Sequence, residues 1–151
     1  MVANHEAIVE WQADGHFADG GYSRGHVWRF DGGAVVRASS SPQIVPAPMS
    51  DPAGVDPEEA LVASAASCHM LWFLSLAQEA GLDVASYRDQ ASATMGRNED
   101  RRIAVTRITL RPRIVFAGRL PDAAQLAQLH HQAHEKCFIA NSLKSEIVVD
   151  G

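Results

Sequence analysis

The stretch VDPEEALVASAASCHMLWFLSLAQEAGL, residues 55–82, limits what this chain can fold into more than any other. Asp56 is a good N-cap, Pro57 suits the first helical position, and Glu59 completes a box-like Asp-x-x-Glu start. Gly81 is a natural stop. Residues 57–80 then predict one helix of roughly 36 Å at about 1.5 Å per residue. It is apolar or small almost all the way round, so sheet or another subunit must cover it. Ala60, Ala63, Ser64 and Ser67 would let a second helix approach closely.

The remaining segments supply candidates for that cover. AIVEWQA (7–13) reads as a strand. Residues 22–40 read as a hairpin turned at Asp31-Gly32-Gly33, where positive φ is tolerated. Residues 41–57 hold five prolines and read as an extended loop with little hydrogen bonding. Residues 84–98 and 102–116 predict two strands joined at Asn98-Glu99-Asp100. In the second, Ala104, Thr106, Ile108, Leu110, Ile114 and Phe116 share one face. Arg107, Thr109, Arg111 and Arg113 share the other, read as a solvated face. Residues 121–136 predict an amphipathic helix with Leu126 and Leu129 inward. Residues 137–144 predict a short helix, and 145–150 a last strand. The order predicts one α+β domain over 1–151, with helices gathered on one side of antiparallel sheet.

The chain has 151 residues, 46% hydrophobic, with a formal net charge of −5. Nothing in that balance favours nucleic acid or an anionic membrane. Met1–Glu10 lacks the basic start and apolar run of a signal peptide. Glu58, Glu59 and Glu79 bracket a long helix broken by Ser64, Ser67, His69 and Ser75, which argues against a membrane span. The expected compartment is the reducing cytoplasm, where two cysteines point to chemistry more than to a structural disulfide.

Those cysteines are Cys68, in the middle of the long helix, and Cys137. A buried thiol needs a cation to ionise at neutral pH. Arg24, Arg29 and Arg37 are the candidates, and a carboxylate could hold such a guanidinium in a fixed fork. Glu58 lies ten positions before Cys68. That is too far along a helix to touch the thiol, but Glu58 could bind an arginine that reaches across.

DPEEALVASAASCHM resembles the Asn-Pro-Glu-Glu/Gln…Cys signature of the OsmC/Ohr family of thiol peroxidases, and CFIANSLKSEIVV is similar to that family's second cysteine segment. The order of elements matches over nearly the whole chain. The family's Cys-Pro is Cys137-Phe138 here, and its Asn-Pro-Glu is Asp56-Pro57-Glu58. Phe138 could alter how the second thiol swings. The resemblance implies antiparallel sheets wrapped around long central helices in an intertwined homodimer. It implies peroxidatic Cys68, resolving Cys137, an activating arginine and an orienting Glu58, with an organic hydroperoxide as substrate and a dithiol as reductant. Arg24 matches the organic-hydroperoxide branch. Arg37, nearest the proline-rich loop, is the alternate.

Other readings stand beside this one. The same fold could hold a hydrophobic ligand with idle cysteines, or act as a cysteine hydrolase with a Cys-His pair. His69 sits about 100° round the helix from Cys68, poorly placed as its base, and is expected to be a packing histidine. His130 and His134, at i and i+4 with Cys137 following, have zinc-compatible spacing. They read instead as part of an exposed polar face, and no metal or cofactor is expected. Trp28, Phe30, Trp72, Phe73 and Phe138 could line an apolar pocket, though core packing accounts for most of them.

Overall fold

The long apolar stretch forms helix α1, Pro57–Glu79, in a computed structural model that describes residues 2–150. Its start is a reciprocal capping box. Asp56 N donates to Glu59 Oε1 and Glu59 N to Asp56 Oδ1, both at 2.8 Å. Its end is set by Gly81, whose φ of +76° turns the chain so that Gly81 N and Leu82 N reach Gln78 O and Ala77 O. The buried residues of α1 are Ala65, His69, Phe73 and Ala77, a single stripe at four-residue spacing. Outside it the helix remains apolar, and Leu71 is 61% exposed. By length and composition α1 is apolar enough to cross a membrane. Its buried stripe packs against strands and helices, as in a core helix.

The chain divides into two compact units, one ending at Ala60 and one beginning at Leu61. The first holds β1 (Ile8–Glu10), β2 (His26–Arg29) and β3 (Val35–Ala38), antiparallel in that order. The expected tight turn joins β2 to β3, with Gly33 at φ +97°. The proline-rich segment departs from expectation. It is a series of turns with bonds of its own: Ser41 O accepts from Ile44 N and Val45 N, and Met49 O accepts from Arg24 N at 2.7 Å. Proline removes donors but leaves every carbonyl free to accept, and the residues between the prolines supply the donors. Val55 then pairs with β3, donating to Arg37 O and accepting from Ser39 N. Gly54 fits this approach because a Cβ there would lie 3.0 Å from the Ala38 carbonyl carbon and from Ser39 Cβ. The approach to α1 is thereby fixed to the hairpin before it.

In the second unit the two expected strands are four: β4 (Asp83–Asp89), β5 (Ser92–Arg97), β6 (Ile103–Leu110) and β7 (Pro112–Ala117). Both breaks fall at one level. Asp89 Oδ1 accepts from Arg111 N at 2.7 Å, and Pro112 has no N–H for a continued ladder. The result is a β4–β7 sheet and a β5–β6–β8 sheet, completed by α2 (Ala123–Lys136), α3 (Phe138–Ser142) and β8 (Glu146–Val149). One ladder is not antiparallel: β8 runs parallel to β6, from Arg107↔Glu146 to Leu110↔Val149.

The alternation in β6 and β7 is observed. Ile108 and Leu110 are fully buried, while Arg107, Arg111 and Arg113 are exposed and Arg107 pairs with Glu146 at 2.9 Å. The stripe of α1 feeds two clusters. Ala65 packs with Ile108 and Leu110, and Phe73 and Ala77 pack with Leu82, Leu129 and Ala133. Full burial of a residue like Phe73 is worth about 2–3 kcal/mol.

Candidate active site

Cys137 joins α2 to α3. Its N–H closes α2 on His134 O at 3.3 Å, and its sulfur caps α3 by accepting from Ala140 N at 3.3 Å. An extended backbone, φ −67° and ψ 112°, lets one residue end one helix and start the next. The residue is buried, at 1% exposure, whereas Cys68 is half-buried on α1. Both are free thiols. The fold brings them near one another, close enough for the Cys68 thiol to act on that of Cys137. Burial and the Cys68 thiol push the Cys137 thiol up from its ordinary pKa, and the Ala140 and Ile139 amides only partly offset this. The two sulfurs are therefore unequal: Cys137 is enclosed and hard to ionise, Cys68 reachable.

The polar candidates of the first unit are less united. Arg24 lies just before β2, with its guanidinium 3.6 Å from the Tyr22 ring centroid. It donates to Tyr22 O at 2.6 Å and to Gly20 O at 3.4 Å. Its observed partners are carbonyls and a ring, not a carboxylate. Arg37, on β3, is paired with Asp51. Glu58 has a buried Oε2 without a hydrogen-bond partner. Among the described residues no ion pair joins Glu58 to Arg24 or Arg37. Arg29 pairs with Glu10 at 3.3 Å.

His69 is a packing histidine, 1% exposed, but it has a specific partner. Its Nε2 lies 3.0 Å from His130 Nδ1, and the rings stack within 9° of parallel. The expectation that His130 belongs to an exposed polar face is overturned. It is half-buried, stacked on Phe73 at 4.6 Å, because position 130 adjoins buried Leu129 and Ala133 on the inner face of α2. Burial, then the neighbouring His130 and His134, lower the His69 pKa to about 4, and burial lowers that of His130. No group of three or more metal-ligating side chains converges among the described residues.

The aromatic candidates fall into separate places. Phe73 is fully buried core, and Trp28 donates to His26 Nε2 at 3.1 Å in the first unit. Trp72 and Phe138 meet edge to face at 5.6 Å. That pairing was open to sequence reasoning only through its outcome: Trp72 follows Cys68 by one helical turn, and Phe138 follows Cys137.

Residues 50–150 match the family model described as OsmC-like protein. A solved OsmC-like protein of unknown function from Vibrio cholerae O1 biovar eltor is similar at 48% identity, with 99% of each chain covered and a TM-score of 0.96. An OsmC-like protein from Mycoplasma pneumoniae is similar at 14% identity and a TM-score of 0.73, covering 99% of this chain and 96% of that one. An organic hydroperoxide resistance protein from Elizabethkingia anophelis is similar at 16% identity and a TM-score of 0.69, covering 100% and 98%. No curated protein matches.

The histidine pair makes a pH prediction. His69 has a folded pKa of about 4 against an ordinary 6.5, so the unfolded chain takes up protons that the folded chain refuses. Stability should be complete above pH ~6.5, fall as pH drops, and have lost at most about 3 kcal/mol from this group below pH ~4. His130 adds in the same direction. Urea titrations from pH 4 to 8 should show the slope, and His69→Gln should flatten it. An equally steep slope in His69→Gln would refute the assignment.

Proposed function

Because the chain belongs to the OsmC family, we propose that it is a cysteine-based peroxidase that reduces organic hydroperoxides to alcohols. The observation that carries this reading is the nearness of two free thiols of unequal exposure. Cys68 thiolate attacks the distal peroxide oxygen. The O–O bond breaks, the alkoxide takes a proton and leaves as alcohol, and Cys68 becomes a sulfenic acid. Cys137 condenses with it, water leaves, and a cellular dithiol reduces the resulting Cys68–Cys137 disulfide. Reducing cytoplasm suits that cycle.

Arg24 is the proposed cation that favours the Cys68 thiolate and binds the peroxide. Its charge has no carboxylate partner among the described residues, whereas Arg37 is committed to Asp51. The buried, unpartnered Oε2 of Glu58 supports its role as the carboxylate that orients this guanidinium in the working site. The exposed apolar flank of α1 supports a homodimer, with each site built from both subunits. Light scattering should report a dimer, and a stable monomer at micromolar concentration would contradict this.

Cys68→Ser should abolish hydroperoxide consumption and leave the circular dichroism spectrum unchanged. Activity above a trace in that variant sinks the peroxidase reading. Cys137→Ser should complete one turnover and then stop at sulfenic or over-oxidised Cys68, visible by mass spectrometry. Normal cycling with a dithiol would remove Cys137 from the mechanism.

Arg24→Ala should raise the pH at which Cys68 is alkylated and slow the first oxidation on the order of 100-fold. Arg24→Lys should restore little, since an ammonium lacks the planar fork. Glu58→Gln should show a milder defect. An unchanged alkylation profile in Arg24→Ala with a shifted one in Arg37→Ala would transfer the role to Arg37.

A further inference from the structure

One ring grips the Cys137 hinge from both sides. Lys136, just before the hinge, holds its ammonium 5.3 Å from the centroid of the Trp72 ring. Phe138, just after it, meets the same ring edge-on at 5.6 Å, with the planes at 87°. Trp72 lies one turn beyond Cys68 on α1, so the two side chains share a face. Phe138 is 61% exposed. Core burial does not account for so exposed an aromatic, but its contact with Trp72 does.

We propose that Trp72, Lys136 and Phe138 form a clamp that holds Cys137 against Cys68, and that Trp72 and Phe138 are positioning residues for disulfide closure. The hinge is extended and followed by a helix of only five residues, which holds it weakly by itself. The ring contacts add to the two hydrogen bonds of Cys137, to His134 O and from Ala140 N. An edge-to-face aromatic pair and a cation over a ring each bias a local equilibrium by about two- to tenfold.

In closure, Cys137 sulfur attacks Cys68 sulfenic sulfur. The S–S bond forms, the S–O bond breaks, and hydroxide leaves with the Cys137 proton as water. Cys137 is oxidised and Cys68 reduced by one step each, so no further oxidant is needed. Burial raises the pKa of the Cys137 thiol, so closure gains from sulfurs already held near each other. The clamp's kinetic role rests on the peroxidase reading. Its effect on the thiol pair does not.

The test uses the full chain and its Phe138→Ala, Phe138→Tyr and Lys136→Gln variants. The Cys68–Cys137 disulfide is first equilibrated against glutathione, without peroxide. Phe138→Ala should weaken it about tenfold, which is about 30 mV towards easier reduction. Phe138→Tyr should match the parent, and Lys136→Gln should fall between. Stoichiometric tert-butyl hydroperoxide with rapid quenching then separates the two steps. Phe138→Ala should form sulfenic acid at the parental rate, close the disulfide about tenfold more slowly, and accumulate more Cys68 sulfinic acid. A Phe138→Ala disulfide within about twofold of the parent, in equilibrium and closure alike, overturns the clamp. So does an equal loss in Phe138→Tyr. If the parent forms no sulfenic acid, the peroxidase reading falls and the glutathione equilibrium alone decides the clamp.

Discussion

A helix that is apolar around its circumference satisfies its own backbone but cannot satisfy its side chains in water. This constraint on α1 organises the second unit. Its buried stripe advances four residues at a time, and each step meets a different layer. Ala65 meets Ile108 and Leu110 of β6, and Phe73 and Ala77 meet α2 and the β4–β7 sheet. Every element after α1 gives α1 cover, directly or through a neighbour. The stripe is narrow, and a second copy of the chain is the proposed cover for the rest.

The same helix makes two chemically identical side chains different. Cys68 sits beside the stripe rather than in it and remains half-buried. Cys137 is inserted from the α2–α3 hinge and enclosed, its sulfur accepting from Ala140 N. Placement alone divides the roles proposed here: a reachable thiol that reacts first, and a shielded one poised against it. His69, next in sequence to Cys68, points elsewhere, into the stacked pair with His130. That engagement weighs against a Cys-His hydrolase.

What the sequence disclosed depended on how local each cause was. The capping box, the Gly81 stop, the Asp31-Gly32-Gly33 turn and the alternation of β6 arise from neighbours a few residues apart, and all are present. The family was legible because its motifs surround both cysteines. The break at Asp89 and Arg111 was not legible, because a carboxylate 22 residues away sets it. His130 was misplaced because polar residues interrupt the inner face of α2, and a histidine among them reads as part of the outer one. The proline-rich segment looked extended because its turns use acceptors that composition does not reveal. The arginines are the hardest case: sequence proposes a partner for Glu58, and within the first unit Arg24 and Arg37 are each engaged elsewhere.

The parallel ladder between β6 and β8 has a consequence for the order in which the protein is made. β8 is the last strand, and its partner β6 is synthesised well before it. Cys137 lies on the connection between them, at the hinge from α2 to α3, so the pairing of β6 with β8 closes a loop that contains it. A nascent chain that has emerged only through β7 carries Cys68 without the second thiol that the proposed cycle requires. Under the proposed cycle Cys68 therefore has no resolving partner until α2 has been made.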